Sequence, residues 1–257
     1  MSMRSKQRGF TMMEMLVAIA VFMVVAGAAF GLLANTQKRY KTDSQALTSF
    51  QQARLGIDQI IRDINDAGFP PANHFSKTPP ADSYAITPLA WTPGYPGACT
   101  IGVTCTTPGD FDMIIETDYD GTGLKWIRYQ LVGTTLSRGV TAKVAGTDPG
   151  AATTAAGVMV PYVTNVVNNA SNATITNIRT YYPSMFPGGV AQPIFQYTCD
   201  TPAGPQSCPA AGASNSPVNV RDVQITLILQ TPQNDLQTGA PQFVELSGRG
   251  RRINPNK

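Results

Sequence analysis

The chain has 257 residues, few charged side chains (14%), 23 glycines and 20 prolines, which leaves room for one membrane segment and one folded domain of ordinary size. Its formal charge of +3 arises in the leading segment, where Arg4, Lys6 and Arg8 stand without an acid; beyond Gly9, basic and acidic side chains balance at 16 each. That balance gives no electrostatic reason for a nucleic-acid partner, and the low charge with many Gly, Pro and Thr excludes a highly charged disordered chain.

The first element in chain order is an apolar run over residues 10–34 in which only Thr11 and Glu14 carry polar side chains. A run of about 20 apolar residues crosses the hydrocarbon core of a bilayer, so Glu14 is an anomaly that requires a partner. The helical pattern continues without proline to about residue 67. Leu47, Phe50, Arg54, Ile57, Ile61 and Ile64 recur there at steps of three and four and form a stripe facing a core. Gly68, Pro70 and Pro71 supply the stop. Such a rod is roughly 85 Å long. The alternative is a secretory signal peptide cut near Ala26-Gly27-Ala28. A glutamate inside the apolar run, and a helical pattern that passes Ala34, both count against it.

Gly9-Phe10-Thr11-Met12-Met13-Glu14, behind a short basic leader and ahead of an apolar helix, resembles the class III signal of type IV prepilins and pseudopilins. The resemblance implies that a dedicated membrane peptidase cuts after Gly9 and methylates the new N-terminal residue, Phe10. It also gives Glu14 a partner, the N-terminal amine of a neighbouring subunit, and with it a role in assembly register. Two features depart from the family. Gly31, with Gly27 one turn earlier, stands where major pilins commonly carry a helix-loosening proline. Lys38, Arg39 and Lys41 beyond the span match the three leader cations, so the cytoplasmic leader follows from the motif and not from the charge count.

Beyond the rod, RLGIDQIIRDINDAGF (54–69) and FDMIIETDYDGTGLKWIRYQLVGTTLSR (111–138) are similar to PilW-like minor pilins, with weaker likenesses in IFQYTCD, VRDVQITLILQ and the Arg-Arg-Ile-Asn ending. The residues read on their own predict strands at 111–117, 126–132, 173–182, 194–198 and 222–230, with long surface loops at 139–157 and 200–217. The fold expected is α+β and pilin-like: a long N-terminal helix packed on a strand-rich, mainly antiparallel head. Its parts are a leader (1–9), a transmembrane half-helix (10–34), an amphipathic half-helix (35–68) and the head (69–257).

Four cysteines permit three pairings, and the short separations favour Cys99 with Cys105 and Cys199 with Cys208 in an oxidising compartment; zinc is the rival reading. DYDGTG (118–123) suggests an Asp-Gly hairpin turn, with calcium on Asp118 and Asp120 as the alternative. Asp112, Glu116, Asp118 and Asp120 are a paired-carboxylate candidate, but alternation along a strand places them on a solvated face. His74 is the only histidine, and no sequence context around it marks a nucleophile. Tyr181, Tyr182, Phe186 and Tyr197 are candidates for an exposed groove or for buried strand aromatics. Arg249, Arg251, Arg252 and Lys257 form a basic tail that reads as a solvated terminus or a subunit contact.

The function these residues imply is that of a minor pilin of a type IV pilus, made as a single-pass bacterial inner-membrane protein with a periplasmic head and then carried into the surface fibre. Its expected partners are other pilins, met through the N-terminal helix, the prepilin peptidase and the membrane. No enzyme activity, cofactor, nucleic acid or small-molecule substrate is expected. A J-type pseudopilin of type II secretion is the near alternative, and a membrane-anchored binding or adhesion module the distant one.

Overall fold

The computed structural model describes residues 9–92, 95, 97, 99–208, 216–235 and 239–253. The leader cations Arg4, Lys6 and Arg8, part of the 200–217 segment, and Lys257 lie outside the described residues.

Helix α1 (Met12–Asn65) is 54 residues long, roughly 80 Å of rod. It starts with a capping box: Thr11 Oγ1 accepts from the Glu14 amide, and the Glu14 carboxylate accepts from the Thr11 amide at 2.9 Å. It stops where Gly68 takes a left-handed φ of 84° and donates its amide to the Glu116 carbonyl at 2.8 Å. Up to Lys41 its side chains are exposed, apart from partial cover at Ala26. The buried line in the second half runs through Ala53, Gly56, Ile57, Ile60, Asp63 and Ile64. This corrects the expected stripe: Leu47 is 59% exposed, Arg54 is exposed, and Phe50 and Ile61 are only partly covered. The head approaches closely at the small residues, where a Cβ on Gly56 would lie 2.7 Å from Val163.

Strands β1 (Leu89–Ala90), β2 (Asp112–Thr117), β3 (Lys125–Val132), β4 (Thr135–Ala142) and β5 (Met159–Thr164) form an antiparallel meander in sequence order. A second antiparallel sheet has the order β7 (Gly204–Ser207), β6 (Phe195–Thr201), β8 (Val220–Asn234), β9 (Pro241–Arg251). The chain leaving β5 crosses to β8, where the Val167 amide donates to the Ile228 carbonyl at 2.8 Å, and so joins the two sheets. One core links helix and sheets: Ile57, Ile60 and Ile64 meet Ile115, Ile127 and Leu136 from the first sheet and Phe195, Ile225 and Leu227 from the second.

Several expectations are corrected. Residues expected as a strand at 173–182 form helix α3 (Asn172–Tyr181), capped by Ser171, whose side chain accepts from the Thr174 amide, with Ile175 and Ile178 buried one turn apart. The segment 139–157 continues β4 and holds the short helix α2 (Pro149–Thr153), and 200–217 contains β7. The expected tail begins inside a strand, since β9 runs to Arg251. In β9, Gly248 and Gly250 lie directly against α1, so that a Cβ at either would come within 2.8 Å of Ile61 or Ile64. β2 is covered on both faces, with Ile114 packed beside Ala90 and Trp126 away from the helix. Glu116 is consequently fully buried rather than solvated.

Candidate functional site

The Gly9–Phe10 bond lies ahead of the first helical turn, in a segment exposed at both residues, with Phe10 83% accessible. A peptidase needs an unwound backbone, and α1 does not begin until Met12. A Cβ on Gly9 would meet nothing within 4 Å, so packing within this chain makes no demand for glycine there. Glu14 binds the Thr11 amide and hydroxyl through Oε2, at 2.9 and 3.0 Å. The partner expected from a second subunit is thus preceded by one in the same chain. Among the described residues Oε1 has no hydrogen bond and stays open to an incoming donor.

Behind it the helix presents large apolar side chains on all sides, including Phe22 (71% exposed), Val24 (73%) and Phe30 (71%). It is the one helix among the described residues long and apolar enough to cross a membrane. Residues 4–30 match the family described as the prokaryotic N-terminal methylation motif. This segment is the class III signal of type IV prepilins and pseudopilins. Comparison with curated proteins and with solved structures finds no match for the chain.

A class III signal implies processing by prepilin peptidase and pilin or pseudopilin assembly with the membrane, and the rest of α1 links that signal to the pilin-like head. That link is closed by one buried carboxylate. Asp63 accepts from Tyr129 Oη at 2.5 Å, from Arg138 at 3.0 Å and from Gln59 at 2.8 Å, tying α1 to β3 and β4. Burial and the neighbouring Asp63 charge both hold the Tyr129 hydroxyl protonated, above its ordinary range.

The acidic residues of 112–120 do not converge on one point. Asp112 is bidentate to Arg128, at 2.9 and 2.5 Å; burial pushes its carboxyl up while Arg128 pulls it down. Glu116 is bound by Lys143, by the Tyr95 hydroxyl at 2.6 Å and by the amides of Ile86 and Thr87. Tyr95 and Lys143 also line a cavity of about 290 Å³ beside Trp126. Asp120 pairs with Lys125 and accepts from Thr122, which together hold its carboxyl down at about 2, and Asp118 accepts from the Gly123 amide at 3.3 Å. Gly121 and Gly123, at φ of 72° and 116°, make the bend, so the stretch is a hairpin turn closed by its own aspartates.

All four cysteines are in disulfides, Cys99–Cys105 and Cys199–Cys208, with Cα separations of 5.3 and 5.7 Å, and the zinc alternative falls away. The four candidate aromatics do not form a groove. Phe186 and Tyr197 are buried in different clusters, Tyr182 packs edge-on against Phe243, and Tyr181 stands exposed. In the C-terminal segment, Arg249 pairs with Asp222 at 2.8 Å and Arg252 donates to the Val218 carbonyl at 3.1 Å.

Sequence reasoning missed the Asp63–Tyr129–Arg138 and Glu116–Lys143–Tyr95 clusters, whose members lie far apart in the chain. Two local signals were there to be read. Thr11 with Glu14 is the T-x-x-E capping box, and glycines at alternate positions 248 and 250 mark a strand face in close contact.

Proposed function

We propose that this protein is a minor pilin of a type IV pilus, of the PilW-like kind, cut after Gly9, methylated at Phe10 and helping to initiate the fibre. The observation that carries this reading is the exposed apolar half-helix behind a prepilin signal, with Glu14 as its single carboxylate and the same helix locked into the head at Asp63. Residues 10–34 hold the subunit in the inner membrane with the head in the periplasm until it is drawn into the fibre on the cell surface. Identical or related rods stacking head to tail by a rotation that does not close make a helical filament, and one charge in each rod sets their register. In this reading the head is not an enzyme, needs no cofactor and takes neither nucleic acid nor a small-molecule substrate; its acidic groups serve its own ion pairs.

Glu14→Val tests the assembly role. A carboxylate at bilayer depth costs about 2.5 to 3.5 kcal/mol until it meets a cation, so losing the match should reduce incorporation into sheared fibres by about tenfold or more. Processing and membrane insertion should be unchanged. Normal incorporation would remove the register role. Recovery of the wild-type chain with a secretion apparatus instead of fibres would make it a J-type pseudopilin, and recovery as a lone membrane protein would favour an anchored binding module.

A further inference from the structure

We propose that Lys38, Arg39, Tyr40 and Lys41 form a ring on α1 that binds anionic phospholipid head groups at the head-side surface of the bilayer. The inference rests on the reading of residues 10–34 as a membrane span and adds to it a lipid class and a site.

Successive helical residues are turned by about 100°, so Lys41, Lys38 and Arg39 share roughly 160° of the circumference and Tyr40 stands opposite them. All four are exposed, Tyr40 by 75%, and none of the three cations has an ion-pair partner among the described residues. A membrane surface surrounds the rod, so the three cations and the tyrosine opposite them meet it together.

The distance agrees. From Met12 to Lys38 the helix extends roughly 39 Å, and the non-helical Phe10 and Thr11 bring the span to about the 40–45 Å of a bilayer with its head groups. With Phe10 at one interface the ring therefore lies at head-group depth in the other. A tyrosine among cations fits that depth, since its ring packs against acyl chains while its hydroxyl stays wet. Each Lys or Arg near an anionic surface is attracted to it. Asp43, one turn beyond Arg39, offsets one charge and leaves the ring net positive.

Cleavage after Gly9 removes Arg4, Lys6 and Arg8 from the opposite side. The ring then becomes the only basic cluster next to the span, and the flanking positive charge passes to the head side. Processing thus changes which leaflet holds the helix.

The test uses the full chain with its leader cations neutralised (Arg4→Gln, Lys6→Gln, Arg8→Gln), placed in nanodiscs of equal phosphatidylcholine and phosphatidylglycerol. Lipids retained on release are counted by native mass spectrometry. Phosphatidylglycerol should be retained over phosphatidylcholine by about threefold or more, falling to the bulk ratio when Lys38→Gln, Arg39→Gln and Lys41→Gln are added. Retention at the bulk ratio with the ring intact, or enrichment that survives its neutralisation, overturns the proposal. A chain washed from vesicles by alkaline carbonate overturns the membrane reading itself, and the ring with it.

Discussion

Asp63 holds α1 to the first sheet with a carboxylate that is only 3% exposed. Asp63→Ala leaves Arg138 and the Tyr129 hydroxyl without their acceptor, and removing one member of a buried pair costs about 3 kcal/mol at the lower end of the usual range, Arg138 being 19% exposed. Thermal unfolding should show that loss, with Asp63→Asn retaining part of it. The pH dependence of Asp120 is a separate matter. Lys125 and Thr122 hold its carboxyl at about 2 against an ordinary 3.8, so the stability it contributes is present above about 4 and is lost as pH falls through 2. Carboxyl titration by NMR should find that low midpoint, and Lys125→Ala should return it towards 3.8. The turn at Asp118–Gly123 was legible because Asp and Gly act locally. Glu116 was not, because its burial depends on Lys143, read as loop, and on Tyr95, both brought to it only by the tertiary fold.

Among the elements, α1 could be read almost to its ends, since the absence of proline and the Gly68 stop are local features. Its buried face could not be, because that face is selected by the neighbours it meets: small residues at Ala53 and Gly56 allow contact, while Leu47 remains outside the head's cover. Residues 173–182 show the opposite difficulty. Ala-Thr-Ile-Thr alternates as a strand would, yet Ser171 caps a helix and Ile175 and Ile178 share its inner face. The pairing of α1 with β9 depends on glycine. A Cβ at Gly250 would stand 2.8 Å from Ile64 Cβ, an atom fixed to the helix backbone and unable to rotate away. Gly250→Val should therefore destabilise the head by about 1–3 kcal/mol in denaturant unfolding, as overpacking does in a filled core. An unchanged midpoint would show that the helix does not lie on β9 this closely.

At the scale of the molecule, two demands are divided along one helix: residues 10–41 stay uncovered by the head, and residues 53–64 are built into it. The uncovered half was legible because a membrane and a peptidase read sequence locally, through apolarity, a glycine and one glutamate. The head was legible as an antiparallel, disulfide-bonded structure, but not the way β5 passes into β8 and joins its two sheets. Every role proposed for the first half of α1 depends on where the mature chain begins. Intact mass and N-terminal fragmentation of the protein isolated from its native membrane measure that directly. A chain starting at N-methylated Phe10 is the result expected; a chain starting near Ala29 would mean a secreted product without its rod, deprive Glu14 of any role and contradict the account.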